Sequence, residues 1–437
     1  METIVVKFGG SSLADAAHFR KVADIIHADP RRRFVVASAP GKRSDGDTKV
    51  TDLLYRCYDT AVSGGDWKSV LEQIRSRYAD IISELGIDFD LNKEIDAIAA
   101  HLAGQPSRDF MASRGEYLNS RILSVFLGFP FFDAAKLIRF SPEGVFEEES
   151  TNARIGAALD GVDCGVVPGF YGATAGGRVF TFSRGGSDVT GALVARGVGA
   201  AIYENWTDVS GMLFTDPHIV TDPRTIEYIT YRELRELAYM GASVLHEDAV
   251  FPVRKANIPI NIRNTNRPGD AGTWIVGKVP DDQRIPTVTG VAGKRGFCSI
   301  NIEKATMNNE VGFGAKLLKI FAEAGLSFEH CPSGIDTMSV IVSSASFAEK
   351  KDEVLEKILT RLHPEYLSVE DGMALIAVVG HGMVAARGVA ARIFRTVADA
   401  GINIRMIDQG SSELNIILGV DDADLEETIR SIYREFR

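Results

Sequence analysis

Residues Val378–Gly388 read VVGHGMVAARG, an apolar run that breaks into Gly-x-Gly and continues as a helix-like pattern. Gly380, Gly382 and Ala385 stand at the offsets of a dinucleotide-binding fingerprint, and Asp408 closes the next apolar run about 20 residues later. Such a loop holds a pyrophosphate when a doubly wound domain follows it. The chain of 437 residues ends too soon after Gly388 for that, unless the fold is permuted. What surrounds the stretch decides its meaning.

Working outward, the same pattern occurs twice. EVGFGAKLLKIFAEAGLSF from Glu310 lies over ARGVAARIFRTVADAGINI from Ala386 at an offset of 76, aligning Gly312 with Gly388, Ala315 with Ala391, Ala322 with Ala398, Ala324 with Ala400 and Gly325 with Gly401. Each copy reads strand, helix, strand, strand, helix over roughly 65 residues. The first copy lacks Gly-x-Gly, so the repeat does not need a dinucleotide, and the quoted stretch reads as a strand-to-helix turn. The second copy reaches Arg437 with no fourth strand after its last helix. Because an unpaired sheet edge is a liability, TVTGVAG (287–293) ahead of the first copy is expected to fill it.

Before the repeat, short apolar runs alternate with helical periodicity. IVVKF is followed by a helix near Ala14 to His27, then RFVVASA, helices through Gly128, FPFFDA, CGVVPGF and AAIYEN. This predicts an α/β domain with a mainly parallel sheet. The polar, proline-bearing GKVPDDQRIPTV (277–288) reads as a linker. With 48 basic and 59 acidic residues the net charge is −11, which argues against nucleic acid or an anionic membrane as partner and leaves small molecules. Cys57, Cys164, Cys298 and Cys331 have no zinc-site spacing and read as buried reduced thiols. No secretion signal and no long apolar span is visible, so the expected location is cytoplasmic.

Four stretches carry chemistry. In KFGGSS, the strand leads into Gly9, Gly10 and Ser11; backbone amides there can approach an anion, and Lys7 can neutralise a phosphate in transfer. A structural Gly-Gly turn is the alternative. A P-loop is excluded, since the Gly-Lys pairs at Gly41, Gly277 and Gly293 are followed by Arg43, Val279 and Arg295. In FTFSRGGSDVTGALVA, the Arg184 fork suits a carboxylate and Asp188 an ammonium, with a helix expected from near Val189; an N-cap role would also explain Asp188. Glu116 of SRGEYLNSRI, early in a probable helix, is a second ammonium acceptor or a solvated side chain. NWTDVSGMLFTDP, with Thr207 and Asp208, reads as a loop after AAIYEN where α/β domains bind nucleotides, or as capping and turn chemistry.

Together, KFGGSS, GFYGAT, SRGGSD, WTDVSGMLFTDP, KANIPINIRNT and the twin repeat occur in the order found in aspartate kinases of the amino acid kinase superfamily, and the chain resembles that family over essentially its whole length. The resemblance implies a three-layer αβα kinase domain (1–285) and two βαββα modules similar to ACT domains (286–371 and 372–437). It implies ATP-dependent phosphorylation, with Mg²⁺, of the aspartate side-chain carboxylate to 4-phospho-aspartate, on the way to lysine, threonine and methionine. By motif, Lys7 is the catalytic lysine, Arg184 holds the α-carboxylate, and Glu116 and Asp188 orient substrate. Ser38 and Thr51 match the substrate loop, here with a longer insert, and Thr207 and Asp208 match the nucleotide pair. Leu213 and His218 stand where relatives often carry Tyr and Arg, and Ser243 and Glu247 replace Lys and Pro, which bears on nucleotide contacts.

No dedicated protein metal site is expected, since Mg²⁺ keeps phosphates and water. A carboxylate nucleophile needs no strong base, so the eight histidines need no catalytic role. The modules suggest a homodimer or dimer of dimers, with an amino-acid effector, lysine before threonine, held by Glu329, Ser333, Gly334, Met307 and Asn309. Two other readings remain: a related kinase acting on another carboxylate, and a sensor with an inactive kinase domain.

Overall fold

The computed structural model describes residues 2–437 apart from Arg184, Ser243, Val244 and His246, so the expectations for Arg184 and Ser243 fall outside the described residues. Strand β1 (Ile4–Phe8) is buried at every position, as a strand covered on both faces should be. β2 (Arg32–Ala37) and β3 (Gly165–Pro168) extend the sheet on one side of it. A separate hairpin, β4 (Tyr171–Ala173) with β5 (Val179–Thr181), follows in the chain. On the other side of β1 lie β6 (Ile202–Thr207), β8 (Ile260–Asn264), β9 (Thr273–Val276) and β7 (Tyr228–Thr230), in that order. Only the β8–β9 pair is antiparallel, in line with the mainly parallel expectation.

Alternation along β1 sends Val6 and Phe8 to one face. There they join Phe19 of α1 (Ala16–His27), Leu54 of α2 (Val50–Val62), Ile74 of α3 (Trp67–Leu85), Ile98 of α4 (Leu91–Gly104) and Ile122 of α5 (Arg108–Leu127). FPFFDA makes a single bridge from Phe131 to Val166 rather than a strand, because Asp133 at once caps the short α6 (Ala134–Leu137). The opposite face of the sheet is covered by α8 (Gly186–Gly197), which also packs on α7 (Glu148–Leu159). α9 (Tyr231–Tyr239) and α10 (Glu247–Lys255) follow, and α10 packs on α8.

The chain divides into two compact units: Met1–Met212, Thr225–Tyr231 and Ser243–Pro280 form one; Leu213–Arg224, Arg232–Ala242 and Asp281–Arg437 form the other. The second unit has one five-stranded antiparallel sheet. Its order is β11 (Thr337–Ser343), β10 (Gly290–Glu303), β12 (Tyr366–Val379), β14 (Asn415–Asp421), β13 (Met406–Asp408). The two copies of the repeat share it. Gly290–Gly293 pair with Ile376–Val379, so the stretch TVTGVAG does fill the second copy's edge; in return Tyr366–Val369 pair with Ile300–Glu303 of the first copy. Helices α11 (Phe313–Glu323) and α14 (Val389–Asp399) start and stop at the offset seen in the sequence, each after a glycine at φ 84. The second strand of the first copy is reduced to bridges at His330 and Ser333. α12 (Ser344–Ala348) and α13 (Lys351–Leu362) complete that copy, and α15 (Leu425–Phe436) completes the other. Leu317, Phe321 and Ile358 centre one core; Ile393, Leu418 and Ile429 centre the other.

The opening stretch is now explained by close approach. A Cβ on Gly380 would lie 2.3 Å from the Thr287 carbonyl oxygen, and one on Gly382 would lie 2.2 Å from that of Pro286. The glycines let the chain entering β10 pass against the turn, and Asp408 bonds His330 at 2.5 Å. Cys57 and Cys298 are buried while Cys164 and Cys331 are partly exposed, so the buried expectation fits two of four. Among the described residues no helix is long and apolar enough to cross a membrane. Because the neighbours of Gly382 are backbone atoms, Gly382→Ala is expected to cost about 1–3 kcal/mol, read as a lower thermal midpoint. An unchanged midpoint would show that the two segments separate easily.

Candidate active site

Lys7 points to the α8 side of β1, and its Nζ lies 2.5 Å from Asp188 Oδ1, with side chains only 9% and 16% exposed. Helix α8 starts at Gly186, earlier than the sequence suggested, and Gly185 at φ 58 takes the N-cap position. Asp188 is therefore in the first turn, and its carboxylate serves side chains instead of capping the helix. Its Oδ1 also accepts from Asn205 Nδ2 at 2.8 Å.

The glycine turn is tighter than a strand-to-helix cradle. The Gly9 amide already donates to the Trp206 carbonyl at 3.0 Å, Gly10–Leu13 is one 3-10 turn, and α1 begins only after its Asp15 cap. Gly9 thus has no amide to give a phosphate. Gly10 instead packs on the Ser38–Gly41 loop: the Gly41 amide donates to its carbonyl at 2.8 Å. A Cβ on Gly10 would sit 2.8 Å from the Ala39 carbonyl oxygen. The Ser38 amide donates to the Phe8 carbonyl at 3.1 Å, and Asn119 Nδ2 donates to the Ser38 carbonyl at 2.6 Å. Thr51 stands in the first turn of α2. The insert between Ser38 and Thr51 is clamped by buried Arg77, which donates to the Gly41 carbonyl at 2.6 Å and also to Asp47, which Arg43 binds at 3.1 Å. Burial works against ionisation of Asp47, yet the Arg43 backbone and side chain and Arg77 hold its carboxyl well below the usual range.

Glu116 sits mid-way along α5, not early, and is buried, not solvated. Burial pushes its carboxyl up to about 7 against the Ala39 amide, its own amide and the Lys7 charge, and Oε2 has no partner among the described residues. Lys7, Asp188, Glu116 and the Ser38–Gly41 loop thus belong to one neighbourhood. Thr207 ends β6 rather than lying in a loop, and its hydroxyl is 3.2 Å from Asp208 Oδ1. Leu213 and His218 belong to the second unit, where exposed His218 lies 2.8 Å from Asp216 Oδ1. Asn205, Asn119 and Arg77 were not singled out in the sequence. A polar residue inside the apolar run AAIYEN was the available signal for Asn205.

In the second unit, the Thr306 amide donates to Asp336 Oδ1 at 2.8 Å and the Asn308 amide to the Ile335 carbonyl at 3.1 Å. These bonds bring Met307 and Asn309 towards the turn of Ser333 and Gly334. The Met307 side chain lies in the core, whereas Asn309, Ser333 and Gly334 are exposed. Glu329 accepts a hydrogen bond from the Tyr239 hydroxyl, which that bond pushes up to about 12.

An enclosed lysine beside two glycine turns on an α/β domain can neutralise an anionic group in transfer. Residues 2–264 match the amino acid kinase family, and residues 376–436 match an ACT domain. The chain is 39% identical to aspartokinase 3 of Bacillus subtilis, over 99% of this chain and 98% of that one. The aspartate kinase of Clostridium acetobutylicum superposes with a TM-score of 0.91 at 46% identity, covering 100% of both chains. E. coli aspartokinase III superposes at 0.73 in its complex with aspartate and ADP (26% identity, 99% of both chains) and in its complex with lysine and aspartate (25%, 100% of both). The chain belongs to the amino acid kinase family and, within it, to the aspartokinases.

The raised Glu116 carboxyl makes stability depend on pH. With a folded value of about 7 against 4.5, the folded chain binds more protons than the unfolded one between those values, so stability falls as pH rises through that window. Removing the carboxyl should remove the fall. Glu116→Gln is expected to gain up to about 3 kcal/mol on wild type between acid and neutral pH, read from denaturant midpoints. A difference independent of pH would refute the buried-acid account.

Proposed function

We propose that the protein transfers the γ-phosphoryl group of ATP to the side-chain carboxylate of L-aspartate, giving 4-phospho-L-aspartate and ADP. The Lys7–Asp188 pair carries this reading. The carboxylate oxygen attacks phosphorus and the bond to the β-phosphate oxygen breaks; no proton has to be removed. The site must align reactants and stabilise charge. Lys7 neutralises the phosphoryl oxygens, Glu116 and Asp188 accept the substrate ammonium, and Arg184 takes the α-carboxylate by its motif. Ser38 and Thr51 line the substrate loop. Gly10, Ser11, Thr207, Asp208 and Ser243 serve the nucleotide by motif; Leu213 and His218, expected there too, belong to the second unit. Among the described residues no cluster of three or more metal-ligating side chains occurs, and Mg²⁺ would arrive on ATP with phosphate oxygens and water as its ligands. We place the activity in the cytoplasm, with 1–285 catalytic and 286–371 and 372–437 regulatory. Residues Leu213–Arg224 and Arg232–Ala242 pack with the regulatory part.

Control follows from the first module. An effector ammonium at Glu329 would displace the Tyr239 hydroxyl, and Tyr239 ends the helix that follows β7 directly. Exposed Val311 (95%) and Ile335 (70%) favour pairing of two such modules in a dimer.

Trapping the acyl phosphate with hydroxylamine tests the reaction: aspartate with ATP should give hydroxamate, and N-acetylglutamate should not. Lys7→Ala should lower turnover by about 100-fold or more with folding intact. Product from another acid alone, or none from any, would favour the related kinase or the silent sensor. Lysine should inhibit wild type, and Glu329→Ala should blunt that inhibition while basal turnover stays near normal. Insensitivity of wild type to lysine and to threonine would leave the modules a structural role only.

A further inference from the structure

Strand register places a residue beside the catalytic pair that no motif selects. β1 and β6 are parallel neighbours in which Lys7 stands opposite Asn205. Cross-strand partners share a face, so both side chains point at α8. Both reach one atom: Asp188 Oδ1 is 2.5 Å from Lys7 Nζ and 2.8 Å from Asn205 Nδ2. Two residues earlier on the same face, the Tyr203 hydroxyl donates to the Asp188 backbone carbonyl at 3.1 Å. Asn205 is only 4% exposed. Its neighbours Glu204 and Trp206 face the other layer, where Trp206 Nε1 and Arg32 bind the Glu204 carboxylate.

We propose that Asn205 is a positioning residue for phosphoryl transfer: its carboxamide sets the rotation of the Asp188 carboxylate and thereby the place of the Lys7 ammonium. The proposal rests on the catalytic reading of Lys7 and Asp188 above. Helix α8 anchors the Asp188 backbone, but a carboxylate turns freely about its last bond. With one oxygen held by a neutral donor, the carboxylate presents a fixed acceptor to Lys7, whose remaining N–H groups stay directed to phosphate oxygens. An apolar side chain would leave the carboxylate free to rotate, and with it the ammonium that it holds at 2.5 Å. A cationic one would compete with Lys7 for Asp188. An amide avoids both.

The test exploits the likeness in shape between an amide and a protonated carboxyl. Charged or titratable groups facing this position are Lys7 from β1, Asp188 from α8 and Tyr203 from β6, and the Glu116 carboxyl on α5 senses the Lys7 charge. Because Glu116 titrates in every variant, each activity is taken as a ratio to wild type from about pH 6 to about pH 9. Asn205→Leu should lower kcat about tenfold or more, with both KM values within about threefold, and its ratio should not vary with pH. Asn205→Asp sets two carboxylates side by side. It should be the poorer enzyme at high pH and recover by about threefold or more towards low pH, as the pair takes up a shared proton and the new carboxyl regains a donor. That recovery is read within one folded protein, so a loss of stability cannot imitate it. Wild-type kcat in Asn205→Leu, or a pH-independent ratio in Asn205→Asp, overturns the proposal. Lys7→Ala, run alongside, separates the two levels: wild-type turnover there overturns the site itself, whereas loss there with a normal Asn205→Leu overturns only the role of Asn205.

Discussion

An ammonium and a carboxylate held 2.5 Å apart and largely out of water constrain every element that meets at the candidate site. Neither charge is tolerable alone there, since an uncompensated buried ion costs several kcal/mol. Three elements must therefore agree in register. β1 has to alternate so that Lys7 leaves the apolar face, α8 has to begin at Gly186 so that Asp188 occupies its first turn, and β6 has to set Asn205 opposite Lys7. The positive end of α8 further favours the carboxylate.

Around this pair the loops are held by hydrogen bonds to their backbone as well as by the burial of Ala39. Gly10 and Gly41 lie against each other, Asn119 holds the Ser38 carbonyl, and Arg77 fastens the insert through Gly41 and Asp47. Glu116 shows the cost of the arrangement, because its buried Oε2 awaits a donor among the described residues and the acid ionises reluctantly. A substrate ammonium would relieve both conditions.

The C-terminal unit solves a different problem. Two modules, each short of a strand, exchange edges through two long strands, so neither leaves that edge open. The consequence is mechanical as well as topological. β10 and β12 run through both cores, and the segment before β10 lies on the turn after β12, where the glycines at Gly380 and Gly382 admit it. Glu329 and His330, on the reduced strand of the first copy, bond Tyr239 and Asp408 respectively, tying α9 and β13 to the same short stretch.

Amino-acid order alone determined a good deal. Apolar alternation and helical period placed the strands IVVKF, RFVVASA, CGVVPGF and AAIYEN; the offset between Gly312 and Gly388 recurs in the bounds of both repeat helices; and the missing fourth strand pointed to TVTGVAG. These are local patterns or self-comparisons, readable without knowing what lies opposite. Tertiary structure alone decided the rest. That Gly9 spends its amide on Trp206, that Glu116 is buried, that Asp188 does not cap α8 and that Asn205 shares its oxygen with Lys7 all depend on partners brought together by sheet order. A one-residue change in the register of β1 or β6 would turn Lys7 or Asn205 to the other face, and register is set by the packing of whole layers rather than by the residues that use it.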